Sequence, residues 1–172
     1  MYSKNNRYRL SSLLVIALLM AMEIVLTRLL SINTPLLRIS LGFIPVSLIA
    51  IMYGPLWAAG AYAMCDIIGA ILFPTGTFFP GFTLTAFLTG LTFGLFLYKH
   101  PVSWSRVLPA SLIICILFNT LLNSLWLYIL MHNGFLAFVP MRLVKNIIMV
   151  PLHSIMIPLV WSWLKRIAPL RQ

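Results

Sequence analysis

Residues 10–30 read LSSLLVIALLMAMEIVLTRLL. The stretch is 21 residues long and interrupted by only Glu23 and Arg28. A helix needs about 20 apolar residues to cross the hydrocarbon of a bilayer, so this run predicts a membrane span. Lys4, Arg7 and Arg9 precede it, as they would a signal peptide. The run is longer than a signal core and ends in Ser31-Ile32-Asn33-Thr34-Pro35 without a clear small-residue cleavage site, so it reads as a retained span.

The whole chain has the same character. Of its 172 residues 62% are hydrophobic and only 8% charged. A soluble domain carries roughly a quarter of its residues as charges, so soluble globular folds are excluded. The expected fold is an all-α bundle of six transmembrane helices over about 10–30, 38–53, 56–73, 81–98, 106–131 and 138–167, forming one domain over 1–172. Met52-Tyr53-Gly54-Pro55 predicts a tight inner turn, and residues 73–81, with Pro74, Gly76, Pro80 and Gly81 among three phenylalanines, a longer, uncharged outer loop. Pro45, Pro151 and Pro158 mark expected kinks.

Twelve Lys or Arg stand against two Asp or Glu, a net charge of +10. The basic residues are scattered among apolar runs, with no continuous face for tracking phosphates, so nucleic acid is not an expected partner. Eight of them, Lys4, Arg7, Arg9, Lys99, Arg106, Lys165, Arg166 and Arg171, fall on one side of a six-span map. By the positive-inside rule that side is cytoplasmic, with both termini on it. The other four, Arg28, Arg38, Arg142 and Lys145, fall toward the outside and have no topological reason to be there.

Catalysis has little to work with. There is no phosphate-cradling Gly-rich loop ending in Lys-Ser or Lys-Thr and no His-Glu-x-x-His pair. His100, His132 and His153 are far apart, and Cys65 and Cys115 have no redox or metal spacing. No metal, cofactor or enzymatic activity is expected, and ATP-driven work has to come from a partner.

An ionisable group inside a span costs about 2.5–3.5 kcal/mol on insertion scales and faces a cavity or a partner. Asp66 lies mid-span in Tyr62-Ala63-Met64-Cys65-Asp66-Ile67-Ile68-Gly69-Ala70, where it can hold a ligand or form an ion pair with one of the outer arginines. Glu23, one turn before Thr27, is expected to brace Thr27 or Arg28. Asn119 and Asn123 share a helix face, with Trp126 one turn on; they are either helix glue or ligand contacts. Arg142, Lys145 and Asn146 share another sector. A carboxylate for an aminopyrimidine-like edge, aromatic rings for a planar heterocycle and cations for carboxylates match the parts of a folate, though other anionic vitamins fit the same chemistry.

Ala17-Leu18-Leu19-Met20-Ala21 places two alanines one turn apart on span 1. Together with Arg38-Ile39-Ser40-Leu41-Gly42-Phe43-Ile44-Pro45, Tyr53-Gly54-Pro55-Leu56-Trp57-Ala58 and Phe73-Pro74-Thr75-Gly76 followed by Phe79-Pro80-Gly81-Phe82-Thr83-Leu84, the chain resembles the substrate-binding S component of energy-coupling factor (ECF) vitamin transporters. The last motifs look most like the folate-specific members. The resemblance implies a bacterial plasma-membrane protein that captures folate outside and topples in the bilayer to deliver it. It also implies a transmembrane T component and two cytoplasmic ATPases as partners, with Ala17 and Ala21 docking on the T component. Arg28, Arg38, Asp66, Asn119, Asn123, Trp126, Arg142 and Lys145 are the candidate substrate-binding residues, by their chemistry and the side of the membrane on which they fall. S components for pantothenate or biotin, and a standalone channel or facilitator, are the alternatives.

Overall fold

A computed structural model describes residues 4–33, 38–74, 79–131 and 135–167. Helix α1 (Lys4–Ile24) continues into a π-helical turn at Val25–Leu29. Helices α2 (Phe43–Tyr53), α3 (Pro55–Leu72) and α4 (Pro80–Leu97) follow. Next, α5 (Trp104–Ile113) runs through a π-helical stretch, Ile114–Leu122, into α6 (Asn123–Met131), and α7 spans Phe135–Ile167. Taking α5 through α6 as one rod gives six helices among the described residues, of which five are long and apolar enough to cross a membrane.

The exception is the second. Its span was expected from residue 38, but Arg38 and Ile39 form a two-residue strand, β2, antiparallel to β1 (Ile32–Asn33), with Ile32 opposite Ile39 and Asn33 opposite Arg38. Helix α2 therefore has 11 residues, a rise of about 16 Å against a hydrocarbon core of about 30 Å. It can be short because it faces protein: residues 43–51 are all buried, and α2 packs against α1, α3, α4 and α7. Pro45 lies in its first turn, where its missing N–H interrupts no helical bond, so no kink is needed there.

Between α2 and α3 stands Gly54 alone, with φ of +97° and the Tyr98 ring 3.3 Å from where a Cβ would stand. A side chain at that dihedral would be strained, and Pro55 starts α3 with its ring in a first-turn position. Helices α3 and α4 then pack backbone to backbone. A Cβ on Gly90 would lie 2.5 Å from the Ala58 carbonyl oxygen, and one on Gly94 would run into Pro55. In lipid, where burial of apolar surface gives no drive between helices, such close approach supplies dispersion contacts instead. Phe93 and Leu97 on α4, Val107 on α5, Ile114 and Ile157 fill the interior, while Leu14, Leu18, Leu56, Ile71, Leu95, Ile147 and Trp163 stand outward.

Candidate functional site

The π turn that ends α1 makes the first cluster. Thr27 Oγ1 donates to Glu23 Oε1 at 2.7 Å, and Ser31 Oγ donates to the Thr27 carbonyl at 2.6 Å. Of the two braces expected for Glu23, Thr27 is the partner found. Gly42, at the foot of α2, closes over this pair so tightly that a Cβ would strike Thr27 Oγ1. The widened turn directs Arg28 toward α3. There its Nη2 lies 3.5 Å from Asp66 Oδ1 and donates to the Asp66 carbonyl at 3.3 Å. Gly69, one turn beyond Asp66, leaves the space the guanidinium occupies; a Cβ would lie 2.6 Å from Arg28 Nε. The second Asp66 oxygen accepts from Thr83 Oγ1 of α4 at 2.8 Å.

Asp66 thus forms the interhelical ion pair that was one of its two readings. The pair is lopsided: the Arg28 side chain is 7% exposed and that of Asp66 is 23%. A carboxylate offers about four lone-pair positions, so Asp66 keeps acceptor capacity on its open side.

Two residues farther along α4, and about 200° around it, Thr85 faces the opposite neighbour. Its Oγ1 accepts from Trp126 Nε1 of α6 at 3.1 Å and donates to the Gly81 carbonyl at 3.1 Å. The Phe79 ring lies 5.6 Å from Trp126 and 6.2 Å from Phe82, centroid to centroid. Gly81 lets them close in, since a Cβ there would be 2.5 Å from both Phe79 and Trp126. The first turns of α4 therefore tie the charged cluster to an aromatic one.

The third cluster joins the π stretch and α6 to α7. Asn123 Nδ2 donates to Asn119 Oδ1 at 3.3 Å, so these two amides do stack on one face. Arg142 Nη1 donates to the Asn119 carbonyl at 2.8 Å. Arg142 is only 8% exposed, and its Nε has no hydrogen-bond partner among the described residues. Asn123 Oδ1 and Asn146 Oδ1 are likewise buried without a partner among the described residues. The only two carboxylates in the chain, Glu23 and Asp66, are engaged with Thr27 and with Arg28 and Thr83. Lys145 is half-buried on α7.

Of the predicted residues, Arg28 and Asp66 come together, as do Asn119, Asn123 and Arg142, with Trp126 one turn beyond Asn123. Only the backbone of Arg38 is described. His132, residues 75–78 of the outer loop, the side chains of Lys4, Arg7 and Arg9, and Arg171 lie outside the described residues. Sequence reasoning passed over Thr83, Thr85 and Phe79. Threonines in apolar helices mostly bond back to their own turn, as Thr89 and Thr92 do. The available signal was the pair of hydroxyls, two residues apart, just after a Phe-Pro-Gly-Phe turn.

A separate feature runs along the outside of α1. Ala17 lines an apolar groove of about 540 Å³ together with Leu13, Met20, Trp57, Gly60 and Ala61, between α1 and α3. Gly60 has open space where a Cβ would stand, and Ala21, one turn on from Ala17, is exposed.

Residues 11–161 match the family described as ECF transporter, substrate-specific component. The chain belongs to that family. Two relatives carry the name folate transporter FolT. One, from Clostridium novyi (strain NT), is 42% identical over 159 residues, covering 92% of each chain. The other, from Leuconostoc mesenteroides subsp. mesenteroides, is 41% identical over 145 residues, covering 81% of this chain and 78% of its own. A crystal structure of FolT bound with folic acid superposes with a TM-score of 0.79 at 39% identity, over 86% of this S component and 89% of that chain. The family is a transporter component rather than an enzyme, and the five apolar helices make this S component a multi-pass membrane protein of bacterial type.

Proposed function

We propose that this S component binds folate and delivers it inward by docking on a transmembrane T component with two cytoplasmic ATPases. The observation that carries the ligand half of the reading is Arg142. It is a buried cation with a free donor in a chain whose two carboxylates are engaged elsewhere. A buried charge left unpaired is costly, and an anionic ligand removes that cost. Folate has the matching parts. Its glutamate carboxylates would meet Arg142 and Lys145, with Arg38 at the rim. Its rings would stack on Trp126 and Phe79, and its amino and amide groups would bond to Asp66, Asn119 and Asn123. The likeness to proteins named folate transporters, and to FolT with folic acid, supports folate over pantothenate or biotin.

For the partner half, the groove beside Ala17, with Ala21 exposed on the next turn, suits a close-packing helix of a T component. With eight cations on the face that carries the termini, both termini are cytoplasmic and the site opens outward before the protein topples. Purified protein in detergent should bind folic acid stoichiometrically, and Arg142→Leu should weaken that binding at least tenfold. Full affinity in Arg142→Leu would remove the argument from the buried cation. Steady folate flux in liposomes lacking T component and ATPases would replace this reading with a facilitator.

A further inference from the structure

The nine-residue π-helical run, Ile114–Leu122, asks for a cause. π-Helix occurs mostly as single turns, often at functional sites, because its i→i+5 bonds leave the helix poorly packed along its axis. Proline does not account for it here. The missing N–H of Pro109 would have bonded a carbonyl more than a turn before Ile114.

The side chains around the run do account for it. Thr120 Oγ1 donates to the Cys115 carbonyl at 3.0 Å, five residues back. Thr85, Thr89 and Thr92, in the regular helix α4, each bond four residues back. Thr120 thus marks the wider pitch. From α7, Asn146 Nδ2 donates to both atoms of that pair, to the Cys115 carbonyl at 2.7 Å and to Thr120 Oγ1 at 2.5 Å. The three groups close a triangle across one π turn, and all three residues are buried. A single amide from a neighbouring helix thereby clamps the turn that contains Asn119 and leads on to Asn123 and Trp126 of α6.

We infer that Asn146 is a positioning residue: its amide holds the π register of residues 114–122 and so sets the direction in which Asn119, Asn123 and Trp126 face. Each extra residue that the wide turns accommodate, once released into ordinary α pitch, turns α6 by about 100° relative to α5. A turn of that size takes Trp126 off Thr85 and Phe79. The inference rests on the folate reading only for its consequence in binding; its structural content stands without it.

The test uses full-length protein carrying 5-fluorotryptophan at its five tryptophans, with the Trp126 fluorine signal assigned through Trp126→Phe. Asn146→Leu should move the Trp126 signal, leave those of Trp57 and Trp104 in place, and weaken folic acid binding at least tenfold. Thr120→Val should do the same in smaller measure, and Thr120→Ser, which keeps the hydroxyl, should restore the wild-type spectrum and affinity. If Asn146→Leu does not fold, the Thr120 pair decides alone. An unmoved Trp126 signal in Thr120→Val, or a lowered melting temperature with unchanged spectrum and affinity in Asn146→Leu, reduces Asn146 to helix glue and overturns the inference. Wild-type protein that fails to bind folic acid overturns the folate reading instead, and the fluorine spectra still judge the clamp.

Discussion

Arg28 Nη2 and Asp66 Oδ1 lie 3.5 Å apart, joining the end of the first helix to the middle of the third. The pair accounts for one of the four cations that topology leaves unexplained and for one of the chain's two carboxylates. Removing Asp66 alone would strand a guanidinium that is 7% exposed, and breaking a buried pair in that way costs about 3–5 kcal/mol. Asp66→Leu should therefore lower the thermal midpoint in detergent sharply, while Arg28→Leu combined with Asp66→Leu should recover most of it without recovering folic acid binding. Asp66→Asn, which keeps the shape and the Thr83 contact, should weaken binding at least tenfold; wild-type affinity there would take Asp66 out of the site.

Two glycines on α3 separate packing from docking. Gly69→Ala puts a Cβ 2.6 Å from Arg28 Nε, so it should displace Arg28 from Asp66 and reduce folic acid affinity. Gly60→Ala meets nothing within 4 Å and should leave fold and affinity as they are. Equal effects of the two, measured by calorimetry, would mean that Arg28 has another place to go.

The indole of Trp126 can be divided into ring and donor. Trp126→Phe keeps an aromatic face but loses the bond to Thr85, a change of about 0.5–1.5 kcal/mol. Trp126→Ala also loses the stacking surface toward Phe79, worth about 0.5–1.5 kcal/mol more beyond the area itself. Titration of folic acid should rank wild type, Trp126→Phe and Trp126→Ala in that order.

The α1–α3 groove predicts a division of labour. Ala17→Trp with Ala21→Trp should abolish co-purification with a T component and leave folic acid binding intact. Retained assembly of the double variant would place the partner on another face.

How much of this was legible beforehand follows from what side-chain patterning records. Runs such as 10–30 and 81–98 announce long helices because lipid demands uninterrupted apolarity. The start of α2 is hidden in the sequence because Leu41-Gly42-Phe43-Ile44 is apolar whichever way the backbone runs, and the pairing of Arg38 with Asn33, five residues upstream, depends on a two-residue strand too short to carry a pattern of its own. The two π stretches leave no trace in composition: widening a turn by one residue changes which faces align, not which residues are apolar. An ion pair of Asp66 with one of the outer arginines could be expected because a chain with two acids offers few choices, but which arginine it would be could not, since Arg28 also stood within reach of Glu23. Thr83 could not, since a threonine that bonds its own helix and one that reaches across look alike until the neighbour is in place.

Helix α2 is about 14 Å shorter than the hydrocarbon it sits in. Backbone that is neither helix nor barrel survives at membrane depth only against protein or water. The stretch leading into α2, with its two-residue ladder, therefore has to be covered by protein or water and cannot be left to lipid.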